Sequence, residues 1–398
     1  MEHGTAISGQ GDDGMAIHTA ANAAVQAAIE RSIAQRGEIG VQVAAYLHGE
    51  LVIDAWGGIA DPDTGRMVDG DTLFNVFSMT KGVVATALHV QAERGLVEYD
   101  RPVADYWPEY GANGKEHVTV RDALCHRTGT PQMPAGATIE SIADWGATAA
   151  GCAQLPPLFP PGTPAYQSFS FGWVIGEIVR RTDPQMRSFQ DFVQQEICAL
   201  FGIDDLWIGI DPAVQHRVAR LTDADAGRPA PRSGSILELS MPNPIRLVPE
   251  VYEQSAMRRA CVPGTGGIFT ARAAARFWAI LANGGMLDGK RLLTRERIDM
   301  ARQPRPGAMD PDPVYFGAVM PISQGGYWLY DGVMPVTCPV KTSRAICAPG
   351  MGGSLGWADP DSGLAVAFCH NRMSNPPGCD DQPASEIADV IRAALGIR

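Results

Sequence analysis

Strand-like segments stand near both ends of this chain, and helical periodicity fills the long stretch between them. VQVAAYLH (41–48) and LVIDAW (51–56) are apolar runs joined at Gly49-Glu50, which predicts a hairpin. Gly353 to Trp357 and Leu364 to His370 have the same character and flank the turn ADPDSG. In the middle, Phe171, Val174, Ile175, Ile178 and Val179 fall at i, i+3, i+4, i+7 and i+8, one face of a helix. Met79 to Arg94 and Ala271 to Asn283 are also helical in pattern, each stopped by a glycine, Gly95 and Gly284. Thr119 and Asp122 have the spacing of a capping box before the short helix VRDALCH. Helices at Ala16 to Gln35 and Ala384 to Leu395 bracket the whole. Strands this far apart share one sheet when the helical middle is an insertion between them. The expectation is therefore an α/β (α+β) fold: an antiparallel sheet flanked by helices, with an inserted mainly helical region. Residues 16–75 plus 265–398 would form the sheet region and 76–264 the helical region of one composite domain. The polar, Gly-rich residues 1–15 would be disordered.

Charge narrows the partners. A net charge of −12 disfavours nucleic acid and anionic membrane, which need clustered Lys and Arg. The chain starts without a basic segment followed by an apolar one, so no secretory signal is expected, and no apolar run is long enough to span a bilayer. A cytoplasmic protein with a small-molecule substrate is the resulting expectation. The eight cysteines, Cys125, Cys152, Cys198, Cys261, Cys338, Cys347, Cys369 and Cys379, are scattered without a CxxC pair. They are expected to be reduced packing residues, with no metal and no cofactor implied.

The one chemical motif that stands out is Ser78-Met79-Thr80-Lys81, inside FNVFSMTKGVVATALHV. Residues i and i+3 share a helix face, so the lysine reaches the serine hydroxyl. If buried, that lysine loses part of its basicity and can accept the serine proton. The helix N-terminus adds free N–H groups that favour an oxyanion. The competing reading is a serine N-cap with a solvated lysine. Against it, the motif occurs once in the chain and is flanked by apolar residues on both sides. SxxK is the motif of class A β-lactamases and penicillin-binding proteins.

The surrounding segments carry a wider resemblance. DTLFNVFSMTKGVVATALHVQAERGLVEYDRPVADYWPEY, VTVRDALCHRTGTP, PPGTPAYQSFSFGWVIGEIVRRT, VPGTGGIFTARAAARFWAILANGGMLDGKRLL and APGMGGSLGWADPDSGLAVAFCHNRM resemble, in order, the serine β-lactamase-related family. That family includes class C β-lactamases, family VIII carboxylesterases and lovastatin-type acyltransferases. The resemblance runs from about Gly40 to Met373 and implies a β-lactamase/transpeptidase-like fold. It implies Ser78 as nucleophile with Lys81 and Tyr166 as general base and acid. Tyr166-Gln167-Ser168 matches the family's second motif, a tyrosine two residues before Asn or a small residue. It also implies an oxyanion hole from the N–H groups of Ser78 and Met351, and substrate-binding positions at Gln167, Ala348, Gly350 and Gly352.

Two departures bear on substrate. Ester-cleaving relatives often have His after the motif tyrosine, and this chain has Gln167. The third motif normally begins with a basic residue, and APGMGGSLG puts Ala348 there, with Gly350 in register. Loss of that cation argues against β-lactams and D-Ala-D-Ala peptides and for a neutral ester, amide or thioester. Lys341-Thr342-Ser343 mimics the missing motif but lies too far from the GGSLG strand. Gly352 to Gly356 fits GxSxG, yet Ser354 is followed by a strand where a nucleophile elbow needs a helix. Gly284 to Lys290 fits GxxxxGK, but Arg291 follows and a helix precedes. His126 is expected to be structural. The expected function is ester or amide hydrolysis through an acyl-enzyme. The alternative is an acyltransferase or cyclising transacylase, with β-lactam or peptide cleavage and a catalytically silent scaffold as further readings.

Overall fold

The computed structural model describes residues 17–225 and 229–397, so the expectation for 1–15 falls outside the described residues. In chain order the elements that build the site are α1 (Thr19–Arg36), β1 (Gly40–Leu47), β2 (Glu50–Asp61), β3 (Arg66–Met67), β4 (Phe74–Phe77) and α2 (Thr80–Glu93). There follow α3 (Val120–Leu124), α4 (Ser170–Thr182), β5 (Leu206–Ile208), β6 (Gly267–Phe269) and α5 (Ala271–Ala282). The chain closes with β7 (Trp328–Leu329), β8 (Ile346–Pro349), β9 (Leu355–Asp359), β10 (Leu364–His370) and α6 (Ser385–Leu395).

Seven strands form the main sheet in the order β7-β8-β9-β10-β1-β2-β3, with every neighbouring pair antiparallel. Its centre joins the two ends of the sequence: Val41 pairs with His370 and Leu47 with Leu364. The side chain of Asn371 accepts the Gly40 N–H at 2.8 Å, a bond between residues 331 apart in sequence. Side chains alternate along a strand. Val41, Val43 and Ala45 of β1, with Leu364, Val366 and Phe368 of β10, face α1 and α6. Ala44, Tyr46, Ala365, Ala367 and Cys369 face the opposite layer, where α5 packs. Covering on both faces explains why β1 and β10 read as unbroken apolar runs with no polar alternation.

The small residues on the α5 face have a steric purpose. Trp278 of α5 wedges between the sheet and α2. A Cβ on Gly356 would lie 2.0 Å from its indole nitrogen, and one on Gly82 would lie 2.8 Å from its ring. Only glycine lets α2 lie this close to the sheet. A second, three-stranded sheet in the order β4-β6-β5 carries the entry to α2. In the middle of the chain α4 buries Phe171, Val174, Ile175, Ile178 and Val179, and α3 starts with the Thr119–Asp122 capping box.

The cysteines depart from expectation. Cys338 and Cys379 are joined in a disulfide, so not all eight are reduced packing residues; the other six are free, and five of those are buried. The pairing closes a loop of 41 residues, a contact that spacing alone could not reveal. Among the described residues no helix is long and apolar enough to cross a membrane. Among them, too, no group of His, Cys, Asp or Glu is placed to hold a metal ion.

Candidate active site

β4 ends at Phe77, whose φ of +46° lies in the left-handed region that bulky residues rarely adopt. The register against β6 slips between Asn75 and Phe77. Thr80 secures this bulge: its hydroxyl donates to the Phe77 carbonyl and accepts the Gly267 N–H at 2.8 Å. The turn lifts Ser78 off the sheet just ahead of α2. Ser78 does not cap that helix, because Met79 occupies the N-cap position and no side chain caps there. Strain of this kind, held by the surrounding structure, is common where a side chain must be presented.

Lys81, one turn into α2, is 2 % exposed, which removes the solvated-lysine reading. Its Nζ donates to the carbonyls of Ser168 and Gly264, each at 2.8 Å, and lies 3.0 Å from Ser78 Oγ. Burial lowers its pKa from the usual lysine range to about 7. A neutral amine has two N–H bonds and one lone pair. The two carbonyls take both N–H bonds, which turns the lone pair toward the serine hydroxyl. In that state the amine can accept the Ser78 proton.

The Tyr166 loop is held from several sides. The Tyr166 N–H donates to Asp312 Oδ2 at 2.8 Å, and the fully buried Asp312 also accepts the Val314 N–H at 2.8 Å. Asp312 thereby ties this loop to the hairpin Pro311–Asp312/Ala318–Val319. His126 stacks on the Tyr166 ring at 4.4 Å and on Phe171 at 4.5 Å. Its Nδ1 accepts the Gln167 N–H at 3.0 Å, so that nitrogen carries no proton. Burial, with Lys81 nearby, holds the His126 pKa far below its ordinary value, and the ring is neutral. Tyr315 and Trp328 stand edge-on to Tyr166 at 5.5 and 5.6 Å. Burial raises the Tyr166 pKa, the nearby Tyr315 adds to the rise, and hydrogen bonds with Ser78 and Trp328 partly oppose it. The phenol therefore rests in its protonated form, with Lys81 Nζ 5.4 Å from its ring centre.

The structure thus brings Ser78, Lys81 and Tyr166 into one cluster. Gly350 brings in the Met351 loop: a Cβ there would lie 2.2 Å from the Val76 carbonyl, so only glycine lets the loop press against the end of β4. Met351 itself is partly exposed. Among the described residues, neither the Ser78 N–H nor the Met351 N–H donates to another group.

The four expected substrate-binding positions are all buried. Gln167 is fully buried, and its amide donates to Ser170 Oγ at 3.2 Å, inside the protein. Ala348 is 2 % exposed and turned toward Gly82 under α2, because alternation along β8 sends its side chain into the core. Gly350 and Gly352 are buried as well and shape the loop without lining a surface. Ser168 does what the sequence did not foretell: its carbonyl holds Lys81, and its hydroxyl accepts from Ser240 at 2.9 Å and lies 3.3 Å from the Tyr315 hydroxyl. Among Trp145, Phe169, Trp173, Tyr327 and Trp328, only Trp328 stands by Tyr166. Phe169 and Trp173 are core, Trp145 stacks on Phe189, and Tyr327 bonds Thr86 at 2.8 Å.

The decoy motifs resolve simply. Ser354 is buried, and its hydroxyl accepts the backbone N–H of His370 at 3.3 Å, while the His370 ring pairs with Glu38 at 2.7 Å. Lys341 pairs with Asp389 of α6 at 3.4 Å, away from the Ser78 cluster. Residues 286–291 form a small hairpin, not a phosphate loop.

Residues 25–389 match the family model described as Beta-lactamase. The chain belongs to the beta-lactamase family. Its relatives include Esterase/beta-lactamase LipL of Mycobacterium tuberculosis, 34 % identical over 351 residues, which are 85 % of this chain and 78 % of that protein. A crystal structure of a family VIII carboxylesterase matches with a TM-score of 0.84 at 28 % identity, covering 96 % of this chain and 99 % of that one. A penicillin-binding protein homolog from Caulobacter crescentus matches at 0.82 with 32 % identity and the same coverage. The beta-lactamase family's antiparallel sheet with flanking helices is thus the fold of this chain, and Ser78 stands just ahead of α2.

Proposed function

We propose that the protein is a serine hydrolase that cleaves carboxylic esters through an acyl-enzyme on Ser78. The observation that carries this reading is the Lys81 amine, buried, committed to two carbonyls and directed at Ser78 Oγ at 3.0 Å. The esterase names of relatives such as LipL favour esters over other acyl compounds. In acylation Ser78 Oγ bonds to the ester carbonyl carbon as its proton passes to neutral Lys81. The N–H groups of Ser78 and Met351 receive the developing oxyanion. The bond to the leaving oxygen then breaks, and that oxygen takes the Tyr166 phenol proton. The acyl-enzyme so formed holds Lys81 as ammonium and Tyr166 as phenolate. In deacylation water bonds to the carbonyl carbon and gives its proton to Tyr166. Ser78 Oγ leaves with the proton from Lys81, and every group returns to its starting state.

Intact-protein mass spectrometry after brief exposure to p-nitrophenyl acetate and butyrate tests this. An acyl-sized mass gain on the Ser78 peptide, absent from Ser78→Ala, is the expected result. Equal nitrophenol release by Ser78→Ala and wild type would overturn it.

A further inference from the structure

The phenolate that this scheme leaves on Tyr166 needs stabilising through the life of the acyl-enzyme, inside a buried site. β8 sends nothing charged toward it, because Ala348 offers only a methyl group turned into the core. The strand outside β8 does offer a donor. Trp328 of β7 pairs in register with Cys347, next in sequence to Ala348. Trp328 is 7 % exposed, and its ring stands at 72° to the Tyr166 ring, centres 5.6 Å apart. An indole N–H can only donate, so in a hydrogen bond with the phenol it is the tyrosine oxygen that accepts. The other edge-on ring, Tyr315, has its hydroxyl 3.3 Å from Ser168 Oγ.

We infer that Trp328 is a positioning residue that donates its indole N–H to Tyr166, directs the phenol proton at the leaving group and then holds the phenolate. The inference rests on the hydrolase reading above. A charged acceptor gains more from a hydrogen bond than a neutral one does. Trp328 therefore favours the step in which Tyr166 gives up its proton. Leaving groups that depart without a proton gain nothing from it.

The test is the leaving-group dependence of kcat/KM, measured with p-nitrophenyl, p-chlorophenyl, phenyl and p-methoxyphenyl butyrates. Wild type is compared with Trp328→Phe and with protein carrying 3-benzothienylalanine at 328, which keeps the ring volume and lacks the N–H. With p-nitrophenyl butyrate both altered proteins should stay within about 2-fold of wild type, because that leaving group needs no acid. With the phenyl and p-methoxyphenyl esters both should fall about 10- to 100-fold, the worth of one hydrogen bond to a charged group. The benzothienyl protein guards against a folding defect of the smaller phenylalanine. Equal losses on all four esters, or no loss on any, would overturn the role of Trp328 while leaving Ser78 acylation standing. Absence of wild-type acylation at Ser78 would instead overturn the hydrolase reading beneath it.

Discussion

Raising the pH through 7 should switch the acylation step on. The active form of Lys81 is the neutral amine, and burial lowers its pKa to about 7. The neutral fraction is then about 0.1 at pH 6 and about 0.9 at pH 8, so the acylation rate should rise about 10-fold between them and level off above. A solvated lysine, with a pKa near 10.4, would be only about 0.04 % neutral at pH 7, so burial raises the reactive fraction by about a thousandfold. No second limb should intrude. Tyr166 is shifted upward and stays protonated, and His126 is shifted downward and stays neutral across this range. Single-turnover release of nitrophenol from p-nitrophenyl acetate, followed by stopped flow from about pH 5.5 to 9, reads the acylation rate directly. Lys81→Arg, which cannot deprotonate, should lose about 10²- to 10⁴-fold and show no rising limb. A flat wild-type profile, or a limb displaced to near pH 10, would refute the argument that the buried amine is the base.

Two further outcomes follow from the packing. Gly356→Val puts a side chain where the Trp278 indole already lies 2.0 Å from the ideal Cβ position, and should lower stability by about 1–3 kcal/mol in urea unfolding and depress activity by displacing α2. Unchanged stability would mean that Trp278 does not wedge the helix in place. His126→Phe keeps the stacked ring but removes the acceptor for the Gln167 N–H, and should cost about 1–3 kcal/mol in thermal unfolding. His126→Asn, which offers an acceptor again, should recover part of that, and equal stability of Phe and wild type would place the hydrogen bond elsewhere.

What could be read from the sequence follows from the range of the forces. α4 and α5 carry helical periodicity over three turns, and their positions agree with Ser170–Thr182 and Ala271–Ala282. The strands at Leu355–Asp359 and Leu364–His370 also agree, although the first starts later than Gly353, because Gly352 and Gly353 form a turn with φ of +89° and +119°. Strands of three or four residues, such as Leu206–Ile208 and Gly267–Phe269, are too short to show a period, and they went unseen. The Ser78–Lys81 pair is local, three residues on one helix face, and so was legible. The two carbonyls that engage Lys81 come from residues 87 and 183 positions away, and no local pattern announces them. Tyr166 entered through resemblance alone. The motif match names the Gln167 position without the direction of its side chain, which turns inward to Ser170. Trp328 and Tyr315 reach Tyr166 only through the tertiary fold.

The pairing of β1 with β10 governs the order in which this chain can be completed during synthesis. The β1–β2 hairpin leaves the ribosome well before its partner β10, as the 331-residue separation of Gly40 and Asn371 records. At about 5–20 residues per second, the edge of β1 waits some 15–60 s for a partner. Over that interval an apolar strand with unpaired backbone groups is open to other chains. Contacts of such long range also slow refolding of the finished chain. The protein depends on residues 364–395 not only for β10 and α6, but for closing the edge that β1 leaves exposed.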